Sequence, residues 1–390
     1  MRVGIVTYAH CANYGAELQA CALSRIVKRI LGDEAQVETL WFDRSPVTSS
    51  EKWRMIRRAF LGRLRRHPLG GFREIFTILL IRFQGGRQLG AAERELVHRR
   101  DSAFEKFWNE CEPHSRRMEW KGVGLEDYDI LIAGSDQIWN WRLTGDMSPF
   151  FLLFDPPSRA IRKISYAASV SVDEIDECYR AIYKKGLENL DCISVRETHG
   201  AKLLSDLTDK TIEVVLDPTL LITANEWSDI ADDRIAVGEP YVLVYTLNSS
   251  ARFFDRVMNY AGRKGMRVVN IFGGRMVDAR YDVTTVYDAG PREFLHLVRN
   301  ASVVITNSFH GTIFAINFKV PFISVLNPAS SVNSRILSIT GLVGLDKRVV
   351  YDDEQESFES LPDIDYAAVH DKLDVLRQKS LDYLRRGLDA

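Results

Sequence analysis

Two doubly wound α/β domains facing each other across a cleft are what this sequence predicts, and three observations carry that expectation. The chain opens with a β-α-β unit: a strand over 2–8, a helix over 16–31 stopped by Gly32, and a strand over 37–42. Alternating strands and helices start again at 241, after a polar stretch over 225–239 that ends Gly-Glu-Pro and reads as a linker. Within that second half, residues 301–323 (ASVVITNSFHGTIFAINFKVPFI) read as a buried strand that ends in a polar turn and opens a helix. A chain of 390 residues suits two cores better than one.

Taken in order, the first strand delivers the loop 9–15, which is longer than a plain crossover needs. Asn13, Tyr14 and Gly15 lie at the helix entrance, where open parallel sheets bind ligands; the alternative is a loop kept polar for solubility. Residues 51–100 interrupt the pattern. Trp53, Ile56, Phe60, Leu61 and Leu64 recur at helical spacing among arginines, a Pro-Gly-Gly break follows at 68–71, and then a second apolar-basic helix. Such a basic helical insertion either lies in a lipid headgroup layer or packs on its own domain with a solvated arginine face. The strand over 128–133 then delivers Gly134, Ser135, Asp136 and Gln137 to the sheet edge, and the strand over 193–195 delivers Arg196. Strand 162–168 ends at the same edge, and Leu216-Asp217-Pro218 reads as the last strand exit of the first domain.

The second half is expected to run as a strand over 241–246, a helix over 251–263 with Gly265 near its end, a strand over 267–272, a helix over 291–300 begun by Pro291, and strands over 302–306 and 322–326. An amphipathic helix from 366 onward is placed to pack back across the first domain. The expected division is therefore 1–224, with the insertion about 51–100, then 225–345, then a helical tail 346–390.

With 46% hydrophobic and 27% charged residues and a net charge of −2, the composition is that of a soluble globular protein. The average hides an asymmetry: residues 52–100 hold thirteen Lys and Arg against Glu74, Glu93 and Glu95, a local charge of +10, so the remainder carries −12. That split points to an anionic partner or neighbour. Cys11, Cys21, Cys111, Cys178 and Cys192 are odd in number with no C-x-x-C pair, which argues against a disulfide framework or a zinc site and for a reducing cytosol. A strand at 1–8 leaves no room for a signal peptide, and the longest apolar run, 75–81, is too short to span a bilayer. Membrane contact is expected to be peripheral, at the inner face. No aromatic-glycine signature for nucleic acid accompanies the basic stretch, and no cluster of Asp, Glu, His or Cys has metal-ligand spacing.

At 301–323 the chemistry concentrates. Asn307 and Ser308 are natural caps, Gly311 lets backbone approach a ligand, and His310 stands beside helix N–H groups suited to an anion. The plain alternative is a polar histidine tucked into a strand-to-helix turn.

Five segments, GIVTYAHCANYGAELQACAL at the start, AGSDQIWN at 133–140, SVRE at 194–197, LDPTLL at 216–221 and SFHGT at 308–312, together resemble the polysaccharide pyruvyl transferase family in order and spacing. The resemblance runs from the first strand to Leu345 and leaves out 53–100 and the last forty or so residues. It implies a fold like that of the GT-B glycosyltransferases, and transfer of a pyruvyl group from phosphoenolpyruvate to two sugar hydroxyls with release of phosphate. The donor is a substrate, and no further cofactor is implied. His310 matches the family's histidine and is the expected general acid, since imidazolium is available near neutral pH. Arg196 matches an arginine that holds phosphoenolpyruvate, its alternative being a salt bridge to neighbouring Glu197 or another carboxylate. Asp136 matches an aspartate of the acceptor side, as a proton acceptor or an orienting group. Ser308 stands where some members have arginine, so part of the anion clamp must come from the backbone N–H groups of the turn, with Ser308, Phe309, Gly311 and Thr312 as the expected donor-side residues, or from Arg335, whose alternative is a solvated surface position. Asn13, Tyr14, Gly15 and Gln137 complete the expected acceptor side. A glycosyltransferase using a nucleotide sugar, or a non-catalytic glycan-assembly protein, are the competing functions.

Overall fold

A computed structural model describes residues 1–42, 89–112, 114–118, 125, 127–154, 160–328, 330–354 and 357–389. The basic insertion expected over 51–100 lies outside the described residues as far as 88. From there the chain forms a helix, Ala91–Cys111, that buries Phe104, Phe107 and Trp108 in the first domain.

Two parallel α/β sheets build the molecule. The first has the order β3-β2-β1-β4-β5, with β1 at Arg2–Val6, β2 at Gln36–Phe42, β3 at Arg116–Met118, β4 at Ile130–Ala133 and β5 at Arg162–Ser165. Two isolated bridges, Ile164 to Cys192 and Ala168 to Val195, extend it to the parallel pair β6 (Ile193–Val195) and β7 (Ile212–Val214). The second sheet has the order β10-β9-β8-β11-β12-β13, from β8 (Tyr241–Tyr245), β9 (Arg267–Ile271), β10 (Thr284–Val286), β11 (Val303–Thr306), β12 (Phe322–Leu326) and β13 (Val349–Tyr351). In each sheet the order reverses beside the first strand, so a crevice opens at the carboxyl ends of β1/β4 and of β8/β11. Central strands such as β4, β8, β11 and β12 are buried along their whole length, as their unbroken apolar runs require.

Two features depart from the sequence expectation. The stretch 225–239 is not a plain linker: its start belongs to a helix, Ala224–Ile230, begun by a capping box in which Thr223 and Glu226 satisfy each other's backbone N–H groups. Trp227 from that helix is fully buried and packs edge-on to Phe314 at 5.4 Å, so the connection is part of the core. Residues 349–351 are the sixth strand of the second sheet, which moves the start of the tail into that domain. Strands of three residues such as β13, β3 and β10 are too short for periodicity to reveal.

The helix Tyr366–Leu388 ties the halves together. Near its start the Tyr366 hydroxyl donates to Val320 O, and Arg377 Nη2 donates to Asn317 Oδ1 at 2.9 Å. Near its end the Tyr383 hydroxyl donates to Ser165 O at 2.7 Å, and Ser380 accepts from Leu216 N. Among the described residues no helix is long and apolar enough to cross a membrane.

Candidate active site

The two crevices meet, and the first-domain side is built from three strand ends. After β4 the backbone turns at Gly134, whose φ of 141° and contact with Tyr166 leave no space for a side chain. Asp136 follows with φ of 64°. After β6 comes Arg196, whose guanidinium lies inside the protein and reaches two carboxylates: Nη1 is 2.6 Å from Asp217 Oδ2 and Nη2 is 3.4 Å from Asp136 Oδ1. Burial lowers the affinity of Arg196 for its proton, but Asp217, Asp136 and Glu197 outweigh it and raise the pKa above the usual arginine value. The guanidinium expected to grip phosphoenolpyruvate is thus paired with two carboxylates, Asp217 and Asp136, and not with the neighbouring Glu197. Neighbouring Glu197 is also buried and does different work, its Oε1 accepting from the Val170 and Ser171 amides at 2.8 and 3.1 Å.

In the sequence Asp217 reads only as part of a strand exit, yet it sits at the centre of the site. It caps a 3-10 turn, Pro218–Leu220, and its Oδ1 accepts from the amide and hydroxyl of Thr219 at 3.1 and 2.8 Å. The local signal was present: Asp before Pro and Thr is a capping pattern that fixes a side chain in place. Burial alone would raise the Asp217 carboxyl, but His310 and Arg196 prevail and hold it well below the usual range. It is therefore an anion at any working pH.

From the second domain, β11 ends in the turn that starts the helix Phe309–Asn317. Ser308 caps it, its hydroxyl accepting from Gly311 N at 3.4 Å, and Thr312 N donates to Ser308 O at 3.0 Å. The Thr312 hydroxyl is turned inward to Ser324 at 2.8 Å. Ser308, Gly311 and Thr312 are thereby engaged with one another and with the core, and the amides of Phe309 and His310 head the helix. His310 is buried, with Nε2 out of contact with solvent, 3.6 Å from Asp217 Oδ2 and hydrogen-bonded to nothing among the described residues. Its Nδ1 lies against Gly15, where an added Cβ would come within 1.9 Å.

Arg335 is not on the surface. It is the second residue of the helix Ser334–Val343 and only 7% exposed. Its guanidinium lies 5.6 Å from the centre of the Phe309 ring, with that of Arg196 4.4 Å from the same ring. Its Nε donates to Val332 O at 3.4 Å, and no carboxylate stands within ion-pair reach of it among the described residues. Burial and the charge of Arg196 lower its pKa to about 10, so it remains a cation at neutral pH.

The remaining expected residues divide. Asn13 is exposed and caps the helix Tyr14–Leu31, accepting from Ala16 N at 3.2 Å. Gln137 is half-buried beside Asp136 and accepts from Asn140 Nδ2 at 3.0 Å. Tyr14 faces away into the junction between domains, its hydroxyl donating to Ala289 O at 2.7 Å and its ring stacked on Phe294 at 4.7 Å. Among the described residues no group of three His, Cys, Asp or Glu is placed to hold a metal ion.

A family model for polysaccharide pyruvyl transferase matches residues 13–328. No curated protein matches the chain by sequence. Among solved structures, the UDP-GlcNAc 2-epimerase from Neisseria meningitidis bound to UDP-GlcNAc is 7% identical, with a TM-score of 0.44 over 100% of this chain and 94% of that one. The Methanocaldococcus jannaschii UDP-GlcNAc 2-epimerase in complex with UDP-GlcNAc and UDP is 12% identical, with a TM-score of 0.45 over 96% and 92%. The E. coli ADP-heptose lps heptosyltransferase II is 10% identical, with a TM-score of 0.36 over 97% and 99%.

Proposed function

The chain belongs to the polysaccharide pyruvyl transferase family, and from that premise we propose that it moves the pyruvyl group of phosphoenolpyruvate onto two hydroxyls of a sugar. The acceptor is a bacterial-type surface polysaccharide or its lipid-linked precursor, and the product is a ketal. The observation that carries the donor assignment is Arg335. A buried guanidinium without a carboxylate is costly in the free protein, and a small, doubly anionic molecule relieves that cost. The helix N-terminus at Phe309 and His310 adds donors and a favourable dipole for the same anion.

The reaction then divides between the domains. His310 gives a proton to the methylene carbon of the enol, the double-bond pair becomes the new C–H bond, and positive charge develops at the neighbouring carbon. One sugar hydroxyl attacks that carbon and loses its proton toward Asp136; the C–O bond to phosphate breaks, and the second hydroxyl closes the ketal. Of the two hydroxyl protons, one replaces that given by His310 and the other leaves on phosphate. Arg196 holds Asp136 and Asp217 in place, while Asn13, Gly15 and Gln137 border the acceptor.

Incubation with phosphoenolpyruvate and candidate lipid-linked sugars, read by mass for an added ketal and by phosphate release, tests this reading. Release of a nucleotide from a nucleotide sugar, with no ketal, would replace it by glycosyl transfer. The +10 charge of residues 52–100 supports a peripheral contact with anionic membrane at the cytoplasmic face, where lipid-linked acceptors are reached. Co-sedimentation with anionic vesicles that weakens as salt rises is the expected result, and no binding at low salt would remove it.

A further inference from the structure

We infer that Asp217 is a positioning residue: it fixes the His310 ring so that Nε2 faces a carboxylate and Nδ1 is the nitrogen that delivers the proton. The inference rests on the pyruvyl-transfer reading for its reaction step and on geometry for the rest. Each oxygen of Asp217 has its own work. Oδ1 is held by the two donors of Thr219, and Oδ2 stands between Arg196 Nη1 at 2.6 Å and His310 Nε2 at 3.6 Å. The second distance is longer than a hydrogen bond, yet Nε2 is sealed from solvent and has no other partner among the described residues. Catalytic hydrogen bonds are often long in a free enzyme and tighten when substrate arrives.

A nitrogen enclosed in this way cannot touch an incoming enol. That leaves Nδ1, which unlike Nε2 is not among the sealed, unpartnered polar atoms, and whose ring rests face-on against Gly15. The geometry assigns Gly15 a matching role, since the His310 ring occupies the space that any Cβ there would need. The proton account closes. The Nδ1–H bond breaks and its proton bonds to the methylene carbon, leaving a neutral ring that keeps its proton on Nε2 against Asp217. A hydroxyl proton then restores Nδ1. Asp217 belongs to the first domain and His310 to the second, so this contact also sets the proton donor of one domain against the carboxylates of the other.

Asp217→Asn is the informative substitution because an amide has one oxygen where the Thr219 amide and Arg196 Nη1 each donate to a carboxylate oxygen of their own. Whichever way the amide sits, the negative charge that holds an Nε2–H is gone and its one oxygen is claimed by Thr219 or Arg196, so Nε2–H is no longer fixed against a carboxylate. In 15N-resolved spectra of the substrate-free protein, a protected Nε2–H signal of His310 is expected in the wild type and its loss in Asp217→Asn. Turnover should fall roughly 10²- to 10⁴-fold, with the KM for phosphoenolpyruvate altered about threefold or less. In a His310→Gln background the same substitution should cost little more, because groups that act as a unit are not additive. Independent, multiplying losses, or an Nε2–H signal unaffected by the substitution, would make Asp217 only an anchor for Arg196. If Asp217→Asn does not fold, the wild-type spectrum decides alone, since absence of a protected Nε2–H overturns the assignment. A wild type with no transferase activity but with the expected spectra would refute the reaction and keep the Asp217–His310 link.

Discussion

The two sheets share one strand order and differ in what their carboxyl edges carry. The first domain brings three buried carboxylates, Asp136, Glu197 and Asp217, around the single cation Arg196. The second brings His310, a helix N-terminus and Arg335, without a carboxylate of its own at the site among the described residues. The same wound sheet therefore presents a carboxylate-rich surface and, opposite it, a cationic one, which the proposed reaction assigns to the acceptor hydroxyls and to the donor anion. Sheet topology chooses where a site forms, and the residues at the strand ends choose its charge.

The largest expected effect tests the proton donor. His310→Gln should fold with an unchanged melting temperature within a few degrees and lose roughly 10²- to 10⁴-fold in turnover. Activity near that of the wild type would break the division at its centre. The two arginines then separate the two sides. Arg335→Gln should raise the KM for phosphoenolpyruvate about 10- to 100-fold, the loss expected for a charge-assisted hydrogen bond, with a smaller change in kcat. Arg196→Lys keeps the charge but cannot span Asp217 and Asp136 together, so it should lower kcat and melting temperature more than it raises KM. Equal rises in KM for both variants would mean that both arginines touch the donor and that the charge division is not a functional one.

What could be read from the sequence follows the same physics. Runs such as Ile130 to Ala133 and Val303 to Thr306 are apolar throughout because both faces are covered, so the central strands and the residues just after them were legible: Asp136, Arg196 and His310. Three-residue strands such as Arg116–Met118 carry no period and depend on the neighbours already in place. The pairing of Arg196 with Asp217 and Asp136 joins three strand ends, and no local spacing records which ends meet. Burial of Arg335 was hidden for a similar reason, since a polar turn residue becomes an interior cation only when Phe309 covers it. The helix Ala224–Ile230 did have a local signal, the Thr223 and Glu226 capping box, masked by the polar residues around it.

The smallest effect serves as a control, because the first domain also buries acids away from the site. Glu112 is buried at the end of the helix Ala91–Cys111, with Oε2 accepting from the Thr39 hydroxyl at 2.7 Å and Oε1 without a hydrogen-bond partner among the described residues. Burial pushes its carboxyl up to about 8, against the hydrogen bonds from Thr39 and Ser24. An acid whose pKa is raised in the folded state keeps a proton that the unfolded chain has already released. Between its usual value of 4.5 and about 8, the unfolded state binds fewer protons, so stability falls as pH rises through that window. Glu112→Gln mimics the protonated form and removes this slope. The variant should match the wild type in melting temperature near pH 5 and exceed it increasingly toward pH 8, with kcat unchanged at every pH where both are folded. A difference that stays flat with pH would show Glu112 ionised in the folded protein. A fall in kcat would mean that its charge is felt at the site, and the separation between structural acids and working carboxylates in this domain would have to be redrawn.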